Sequence, residues 1–283
     1  MSISLCILGS GSSGNCSVVR TRDGAVMLVD AGLSPRQTGK RLDGTGVTLD
    51  DIRAICLTHV DWDHFSRGWV KQVARRGIVV FCGHDHRLQL LRNFGDEIEP
   101  HIRVISARKS FEPVRGISAD AIDLRHDDAG SHGFVFSTGS AQLAYATDLG
   151  RVPARLIERF AGADLLAIES NYDPTMQLES SRPQFLKHRI MGGRGHLSNH
   201  EAFDAVRRIF DRGEKLHGRF PSHVVLLHRS RECNCPNLLR ALFCTDARFA
   251  ERVVLAEQHE RTEWLSPRPR PAFRGEQLTL AWG

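Results

Sequence analysis

Short apolar runs separated by turn-rich segments characterise the first third of the chain. An apolar run of roughly four to eight residues between turn signals is typical of a buried strand, whereas a longer amphipathic stretch is typical of a helix. This pattern predicts strands at 3–8, 16–21, 25–30, 53–58 and 78–82. Helices are predicted near 34–42, 65–76 and 84–93.

The rest of the chain repeats this alternation of strands and helices. Strands are predicted at 102–106, 117–124, 133–138, 141–147, 164–169 and 223–228. Helices are predicted near 153–160, 182–191, 199–211 and 236–243. So many strands with interspersed helices favour an α/β architecture in which helices cover two packed sheets.

The length of the chain is compatible with a single domain followed by a short tail. The 283 residues exceed an average domain, but sandwich folds often run to roughly 200–250 residues as one unit. We therefore expect one domain over 1–265 and a Pro/Arg-rich C-terminal tail over 266–283. The tail begins with a stretch too rich in proline for a helix and is expected to be extended. Its last apolar residues, 277–282, are candidates for an added edge strand.

Apolar segments and cysteines indicate the setting in which the protein works. The sequence contains neither an apolar span of about 18 residues nor a basic-then-apolar leader, so we expect a soluble, cytoplasmic protein without a membrane partner. Its seven cysteines include Cys6, Cys56 and Cys82 within apolar runs, which is typical of reduced core thiols. Cys233 and Cys235 form a close pair, but no second pair accompanies them at zinc-finger spacing.

The formal net charge of +5 is compatible with binding to a polyanion. Arginine-bearing stretches at 182–194 and 207–219 are candidates for phosphate contacts. Basic helix surfaces also occur for solubility alone, and the charge by itself favours neither interpretation.

The most informative motif is the segment from His59 to His64, which follows an apolar run and carries four potential metal ligands. Because side chains alternate along a strand, His59 and Asp61 would project to the same side. Asp63 and His64 lie where the strand gives way to a turn, so they can point toward a second metal. The alternative is a polar turn at a helix start, with Asp63 as the N-cap and both histidines solvated. Four ligand types after a β-rich run favour the metal site.

This motif resembles the signature His-x-His-x-Asp-His of the metallo-β-lactamase superfamily. The match comprises His59, Asp61, Asp63 and His64, with Asp61 standing where the signature usually has its second histidine. A carboxylate makes the site harder and more anionic, which improves the standing of Mn or Fe relative to Zn. The resemblance implies two divalent metal ions per chain, whose identity among Zn, Mn and Fe stays open.

The superfamily resemblance extends to three ligands farther along the chain. It implies that His126 is the third ligand of the first metal, that Asp148 bridges both metals, and that His228 is the last ligand of the second. Each follows a predicted strand or lies at its end, in the order that the superfamily requires. The fold implied by the resemblance is a four-layer αββα sandwich, with 1–265 as the hydrolase domain.

Four further segments resemble the YycJ/WalJ-type subfamily, namely 9–15, 29–34, 169–173 and 195–199. They extend the similarity over roughly residues 3–240. The resemblance implies a DNA-processing hydrolase with 5′-to-3′ exonuclease activity. The glycine-rich segment 9–15 is not a P-loop, because no Gly-Lys-Ser/Thr follows it.

The resemblance implies metal-assisted hydrolysis, in which two cations activate a water for attack on phosphorus. Asp63 would bind the second metal and accept a hydrogen bond from the attacking water. We select His196 as a second catalytic candidate, because it follows a glycine-rich loop able to reach over a site. Its alternative role is in the helix start at Ser198, which has Glu201 three residues on. Substrate-binding candidates are Ser12, Asn15, Asn171 and Ser198.

The remaining histidines receive no functional role from the sequence. His84, His86, His101 and His132 are interpreted as ordinary surface or loop residues, and His200 is unassigned. Three function classes remain open: a nuclease acting on DNA ends, a small-molecule phosphodiester, thioester or lactam hydrolase of the same fold, and a non-catalytic metal-binding protein. The sequence does not indicate an oligomeric state.

Overall fold

The first sheet is built from the N-terminal third of the chain. The structure, a computed structural model, describes residues 2–268. Six strands lie side by side in chain order: β1 (Ile3–Gly9), β2 (Cys16–Thr21), β3 (Val26–Val29), β4 (Ile52–Cys56), β5 (Val79–Cys82) and β6 (Ile102–Val104). The strands β1 to β3 pair antiparallel, and β3 to β6 pair parallel.

The second sheet repeats this arrangement with seven strands, again in chain order. They are β7 (Phe111–Val114), β8 (Ile117–Leu124), β9 (Ser131–Ser137), β10 (Gln142–Ala146), β11 (Leu165–Glu169), β12 (His223–Leu227) and β13 (Val253–Leu255). The strands β7 to β10 pair antiparallel, and β10 to β13 pair parallel.

Helices connect the parallel strands and cover the outer faces of both sheets. They are α1 (Pro35–Leu42), α2 (Trp69–Arg76), α3 (His84–Phe94), α4 (Ala154–Phe160), α5 (Pro174–Glu179), α6 (Gln184–Met191), α7 (Asn199–His217) and α8 (Pro236–Phe243). The longest, α7, begins with a capping box in which Ser198 and Glu201 exchange hydrogen bonds, as the sequence predicts. It ends at Gly218, whose φ of 62° is the left-handed conformation that glycine adopts readily.

Three apolar cores separate four layers. Trp69 and Ile55 belong to the core between the first sheet and α1 to α3, and Phe210 belongs to the core under α4, α7 and α8. Between the sheets lie Tyr145 and Phe134, which are almost fully buried. Because successive side chains of a strand face opposite sides, buried strands supply two cores at once. The αββα sandwich predicted from the sequence is therefore confirmed.

Some element boundaries differ from the sequence prediction. The helix expected from 65 begins at Trp69, because Phe65 is held in a β-bridge to Ala31 and cannot start a helix. The elements β7, β13 and α5 were not predicted; β13 has three residues, and Pro113 interrupts the apolar pattern of β7. The possible edge strand at 277–282 lies outside the described residues.

The cysteines and helices of the described region give two further results. All seven cysteines are free, and burial raises the pKa of the Cys16 thiol to about 12. Among residues 2–268, neither Cys233 nor Cys235 belongs to a cluster of potential metal ligands. In the same region no helix has the length and apolar character needed to cross a membrane.

Candidate metal centre

The predicted ligands come together at one edge of the sandwich, where strands of both sheets end. The segment 58–64 follows β4, His126 follows β8, Asp148 follows β10, and His228 follows β12. Ligand sites of α/β proteins commonly lie beyond the carboxyl ends of parallel strands, because polar loops converge there. Residues separated by more than 160 positions in the chain are thus brought into one cluster.

Unusual backbone conformations mark this edge. In the described part of the chain, the non-glycine residues with positive φ are Asp30 (59°), Asp127 (41°), Asp148 (53°) and His228 (53°). This conformation is disfavoured for residues other than glycine, although aspartate tolerates it better than most. Such strain persists only where surrounding structure holds it, and it clusters at functional sites. At these strand ends the residue with positive φ lies in the turn that follows the strand.

The first ligand group consists of His59, Asp61 and His126, which offer ligand atoms within 4.8 Å of one another. The two histidines are nearly buried, and the Nδ1 of each has a partner away from the centre. His126 Nδ1 lies 2.9 Å from the carbonyl oxygen of Gly195, and His59 Nδ1 lies 3.0 Å from Thr58 Oγ1. A proton on each Nδ1 leaves each Nε2 with a lone pair for a metal. Asp61 thus lies beside the two histidines, at the position where the signature has its second histidine.

The second group consists of Asp63, His64 and His228, again with ligand atoms within 4.8 Å. His64 Nδ1 lies 2.9 Å from Oδ2 of the fully buried Asp30, which fixes the ring. Its Nε2 faces the centre, 3.7 Å from Asp63 Oδ2. Asp63 itself is held by close packing, because a Cβ at Gly32 would lie 1.7 Å from its carbonyl oxygen. Only glycine permits this approach.

Asp148 connects the two groups. Its Oδ2 lies 3.1 Å from His64 Nε2, and its Oδ1 lies 2.9 Å from His228 Nδ1 and 3.9 Å from His126 Nε2. Burial tends to raise the pKa of this carboxyl group, but His228 and His64 more than offset it, so the pKa lies well below its ordinary value. The ionised carboxylate is therefore available to both groups.

His196 approaches the same centre and is held by Glu169. The distance from His196 Nδ1 to Glu169 Oε1 is 2.7 Å, and the other carboxylate oxygen accepts hydrogen bonds from the backbone amides of Leu149 and Leu197. Glu169 is fully buried at the end of β11. A proton on Nδ1 directs the free Nε2 of His196 away from Glu169. His196, Glu169, Asp148 and His228 form a further group of ligand atoms.

The donor set fits divalent cations. Imidazole nitrogens and carboxylate oxygens are the ligands of dinuclear hydrolases. Burial lowers the pKa of His59 well below its ordinary value, and His64 adds to the shift, so His59 is in the neutral form that binds metal. His228 Nδ1 lies 2.9 Å from Asp148 Oδ1, but the pair does not have hydrogen-bond geometry.

Comparison with known proteins agrees with this arrangement. The sequence pattern described as "Beta-lactamase superfamily domain" matches residues 26–227, most of the chain.

The chain belongs to the beta-lactamase superfamily.

The metallo-β-lactamase fold implies binding of divalent metal ions, and the clusters of histidine and aspartate found here are able to hold them.

Individual relatives cover most of the chain. Exodeoxyribonuclease YycJ of Bacillus anthracis is 27% identical over 240 residues, which are 85% of this chain and 87% of the relative. Exodeoxyribonuclease WalJ of Streptococcus pneumoniae serotype 2 (strain D39) is 29% identical over 238 residues, covering 82% and 83% of the two chains. The crystal structure of the metallo-β-lactamase fold protein YhfI from Bacillus subtilis superposes with a TM-score of 0.66 at 15% identity, over 92% of this chain and 99% of that one. This last likeness supports the fold.

A cavity of about 490 Å³ opens over the candidate metal centre formed by the two ligand groups. Ser12 and Asn171 line it, as substrate-binding residues would, and the Nδ2 of Asn171 also donates to the carbonyl oxygen of His228. Asn15 and Ser198 do not line it. Asn15 is buried behind the ligands, 2.9 Å from His64 Nε2, and the Ser198 hydroxyl caps α7. These two residues are therefore placed to support the site, without facing the cavity.

Two histidines interpreted as surface or loop residues lie instead in the interior, behind the candidate metal centre. His86 is 2% exposed, and its Nε2 lies 3.2 Å from the carbonyl oxygen of Gly130. The side chain of His132 is 12% exposed and packs edge-on against His86, with ring centroids 5.1 Å apart. The surface interpretation is wrong for both, because the loop after β8 and the start of α3 close over them.

The sequence assigned no role to Asp30 or Glu169, although both orient histidines of the candidate metal centre. Each appeared only within a segment that resembled the subfamily. The available signal was a carboxylate at the end of a fully buried apolar strand, a position where an unpaired charge is strongly disfavoured. Such a carboxylate requires buried partners, and here the partners are His64 and His196.

Proposed function

We propose that the protein is a dinuclear metal-dependent phosphodiesterase that degrades DNA from its 5′ ends. The observation that carries the proposal is Asp148, whose Oδ1 lies 3.9 Å from His126 Nε2 of the first ligand group and whose Oδ2 lies 3.1 Å from His64 Nε2 of the second. In dinuclear enzymes a shared pair of cations stabilises both the attacking and the leaving oxygen of an in-line displacement. Two related proteins named exodeoxyribonucleases match more than four fifths of this chain and support DNA as the substrate.

The first metal would be held by His59, Asp61 and His126, the second by Asp63, His64 and His228, and Asp148 would contact both. Because Asp61 replaces an imidazole by a harder oxygen ligand, we expect Mn or Fe to compete better with Zn than at an all-histidine site. Bound cations would lower the pKa of a water and neutralise charge on the phosphate.

The residues of the chain divide the remaining work. Asp63 Oδ2 lies 3.7 Å from both His64 Nε2 and His228 Nε2, whereas its Oδ1 has no hydrogen bond to a described residue. That free oxygen is available to accept a hydrogen bond from the attacking water. The Nδ1–H of His196 donates to Glu169 Oε1, so Nε2 faces away from Glu169 and, when it carries a proton, can supply it to the leaving oxygen.

An arginine cluster beside the site supports a polyanionic substrate. The backbones of Arg125, Arg151 and Arg194 converge: the amide of Gly150 donates to the carbonyl of Arg125, and a Cβ at Gly150 would lie 2.5 Å from Arg194 Cα. Arg125, Arg151 and Arg194 are exposed, and none forms an ion pair with any residue in 2–268. Unpaired arginines are suited to phosphate contacts. Arg194 immediately precedes the Gly195 and His196 that line the cavity.

The proposal is tested by measuring bound metal by mass spectrometry, together with hydrolysis of 5′-phosphorylated single-stranded DNA in Mn and in Zn. About two metals per chain and stepwise release of 5′ nucleotides are expected. Asp148→Ala should lose bound metal and activity, because neither group keeps its shared carboxylate. The exposed Asp23, in a turn outside the site, supplies a matched control: Asp23→Ala should retain both.

The alternatives predict different results in the same experiment. Two metals with hydrolysis of a chromogenic bis-aryl phosphodiester, but not of DNA, would replace the nuclease proposal by a small-molecule esterase. Bound metal without any hydrolysis would indicate a binding protein. Retention of metal and activity by Asp148→Ala would remove Asp148 from the centre.

A further inference from the structure

Trp62 stands out at the rim of the metal centre. It lies between the ligand candidates Asp61 and Asp63, and 71% of its surface is exposed to solvent. The turn that carries it is fixed, because the carbonyl oxygen of Asp61 accepts hydrogen bonds from the amides of His64 and Phe65, both 2.9 Å long. A large aromatic side chain is therefore held in contact with solvent on a rigid turn, although exposing its apolar surface to water is unfavourable.

Packing does not account for this exposure. Trp62 belongs to none of the apolar cores of the described structure, and its side chain lines the cavity over the metal centre. Leu186 and Ile190, on α6, contribute further apolar surface to the same cavity. The cavity thus combines an aromatic face and aliphatic side chains with the candidate metal centre. This combination suits a ligand in which a flat apolar group is attached to a phosphate.

Two arginines that line the cavity already have acidic partners, which weakens their binding to a phosphate. Arg182 pairs with Glu232, and Arg229 pairs with Glu257, so these guanidinium groups are already partly neutralised. They are therefore weaker phosphate contacts than unpaired arginines. Stacking on Trp62 is a sequence-tolerant contribution, because every nucleobase has a flat π face.

We infer that Trp62 stacks against the nucleobase of the nucleotide whose phosphate lies at the metal centre. The inference rests on the proposed nuclease function and specifies its substrate as a strand with an unpaired terminal base. A base inside a duplex has both faces covered by its neighbours, and a terminal paired base is held in position by its partner, whereas an unpaired terminal base is free to turn toward Trp62. Stacking on Trp62 therefore favours a single-stranded end.

The test compares two oligonucleotides that differ only in their bases near the cleaved bond. One is a short 5′-phosphorylated single strand, and the other carries abasic residues at its first two positions. Stacking is worth a factor of roughly 5 to 150 in binding per base, so Trp62→Ala should raise KM for the first substrate by about that factor. Its KM for the abasic substrate should stay unchanged, and Trp62→Phe should retain most of the affinity because it keeps an aromatic face.

Phe185 provides the matched control, because it is an aromatic residue 74% exposed that does not line the cavity. Phe185→Ala should behave as the unmodified protein on both substrates. Tryptophan fluorescence gives an independent readout of binding. Quenching by the base-bearing oligonucleotide is expected, and it should be lost in Trp62→Phe, in which the other three tryptophans of the chain, Trp69, Trp264 and Trp282, remain as background.

The possible failures are distinguishable. An equal loss on both substrates in Trp62→Ala would indicate a damaged metal centre and overturn stacking, as would no loss on either. Absence of quenching in the unmodified protein would also overturn stacking, whether or not DNA is cleaved. Hydrolysis of the bis-aryl phosphodiester without cleavage of either oligonucleotide would instead overturn the proposed nuclease function.

Discussion

Glu169→Gln tests whether a buried carboxylate positions His196. Glu169 Oε1 lies 2.7 Å from His196 Nδ1, and Oε2 accepts from the amides of Leu149 at 2.8 Å and Leu197 at 3.2 Å. A glutamine has nearly the same shape but only one acceptor oxygen. Whichever way the amide is oriented, its NH₂ group faces a donor: the histidine on one side or the backbone amides on the other. The substitution therefore breaks one set of contacts without creating a cavity.

The magnitude follows from these contacts. A hydrogen bond to a charged group contributes about 1.5–3 kcal/mol, and a buried donor without a partner is destabilising by about 1–3 kcal/mol. Removing a buried charge offsets part of this loss, because the carboxylate was itself desolvated. We expect the free energy of unfolding to fall by roughly 2 kcal/mol, which lowers the Tm by roughly 4–8 °C in a protein of this size. With His196 no longer held in one tautomer, kcat should fall by about 10- to 100-fold.

The assay combines thermal unfolding with kcat and KM on 5′-phosphorylated DNA and with metal content. Loss of kcat with little change in KM is expected, because His196 would act on the leaving oxygen and not on ground-state binding. Glu260→Gln, at an exposed position, is the matched control and should leave all values unchanged. Full kcat in Glu169→Gln together with an unchanged Tm would refute the argument, since neither the hydrogen bonds nor the tautomer would then matter.

Three further predictions address other parts of the molecule. Asp61→His should keep activity and shift metal preference toward Zn, measured as rate and bound metal in Mn and Zn; an inactive, metal-free product would give Asp61 another role. Alanine at Arg125, Arg151 and Arg194 together should reduce the salt slope of single-stranded DNA binding by about 2, because each phosphate contact contributes about 0.7; an unchanged slope would place the DNA elsewhere. The pKa of His132 is lowered from 6.5 to about 4, mainly by burial and to a smaller extent by the charge of the nearby His86. The folded state thus disfavours its protonation, so stability is fully present above pH 6.5 and falls toward pH 4 by up to about 3 kcal/mol. Denaturation at several pH values should show this loss, and the loss should be smaller in His132→Leu, since the other buried histidines still contribute to it.

The sequence predicts much of the fold because the apolar pattern is unusually regular. Strands β4 and β12 are largely apolar and buried, with the exposed Arg53 as the exception in β4; His228 follows β12 directly, and His59 lies three positions after the end of β4. Period-two alternation predicts that His59 and Asp61 share a side, and both belong to one ligand group, although β4 ends at Cys56, before either residue. These features depend on local sequence, which is why they can be predicted without knowledge of tertiary contacts.

Features that depend on tertiary contacts are not predicted. The pairing of Asp30 with His64 and of Glu169 with His196 joins residues 34 and 27 positions apart, and no local pattern indicates which partner a buried carboxylate will meet. The burial of His86 requires the loop after β8 to fold over α3. Likewise, the start of α2 is set by a bridge between Phe65 and Ala31, which local helix propensity does not encode.

The position of Asp61 explains why the superfamily signature can change there. The side chain of His59 is 5% exposed and that of His126 is 6% exposed, and each donates from Nδ1 to a fixed acceptor. A carboxylate at either position would lose that hydrogen bond and place a charge in a poorly solvated site. The side chain of Asp61, by contrast, is 52% exposed, so water stabilises its charge when no metal is bound. We therefore propose that the outer position of the first group is the one that can exchange nitrogen for oxygen, and that the exchange alters metal preference without disturbing the two buried histidines.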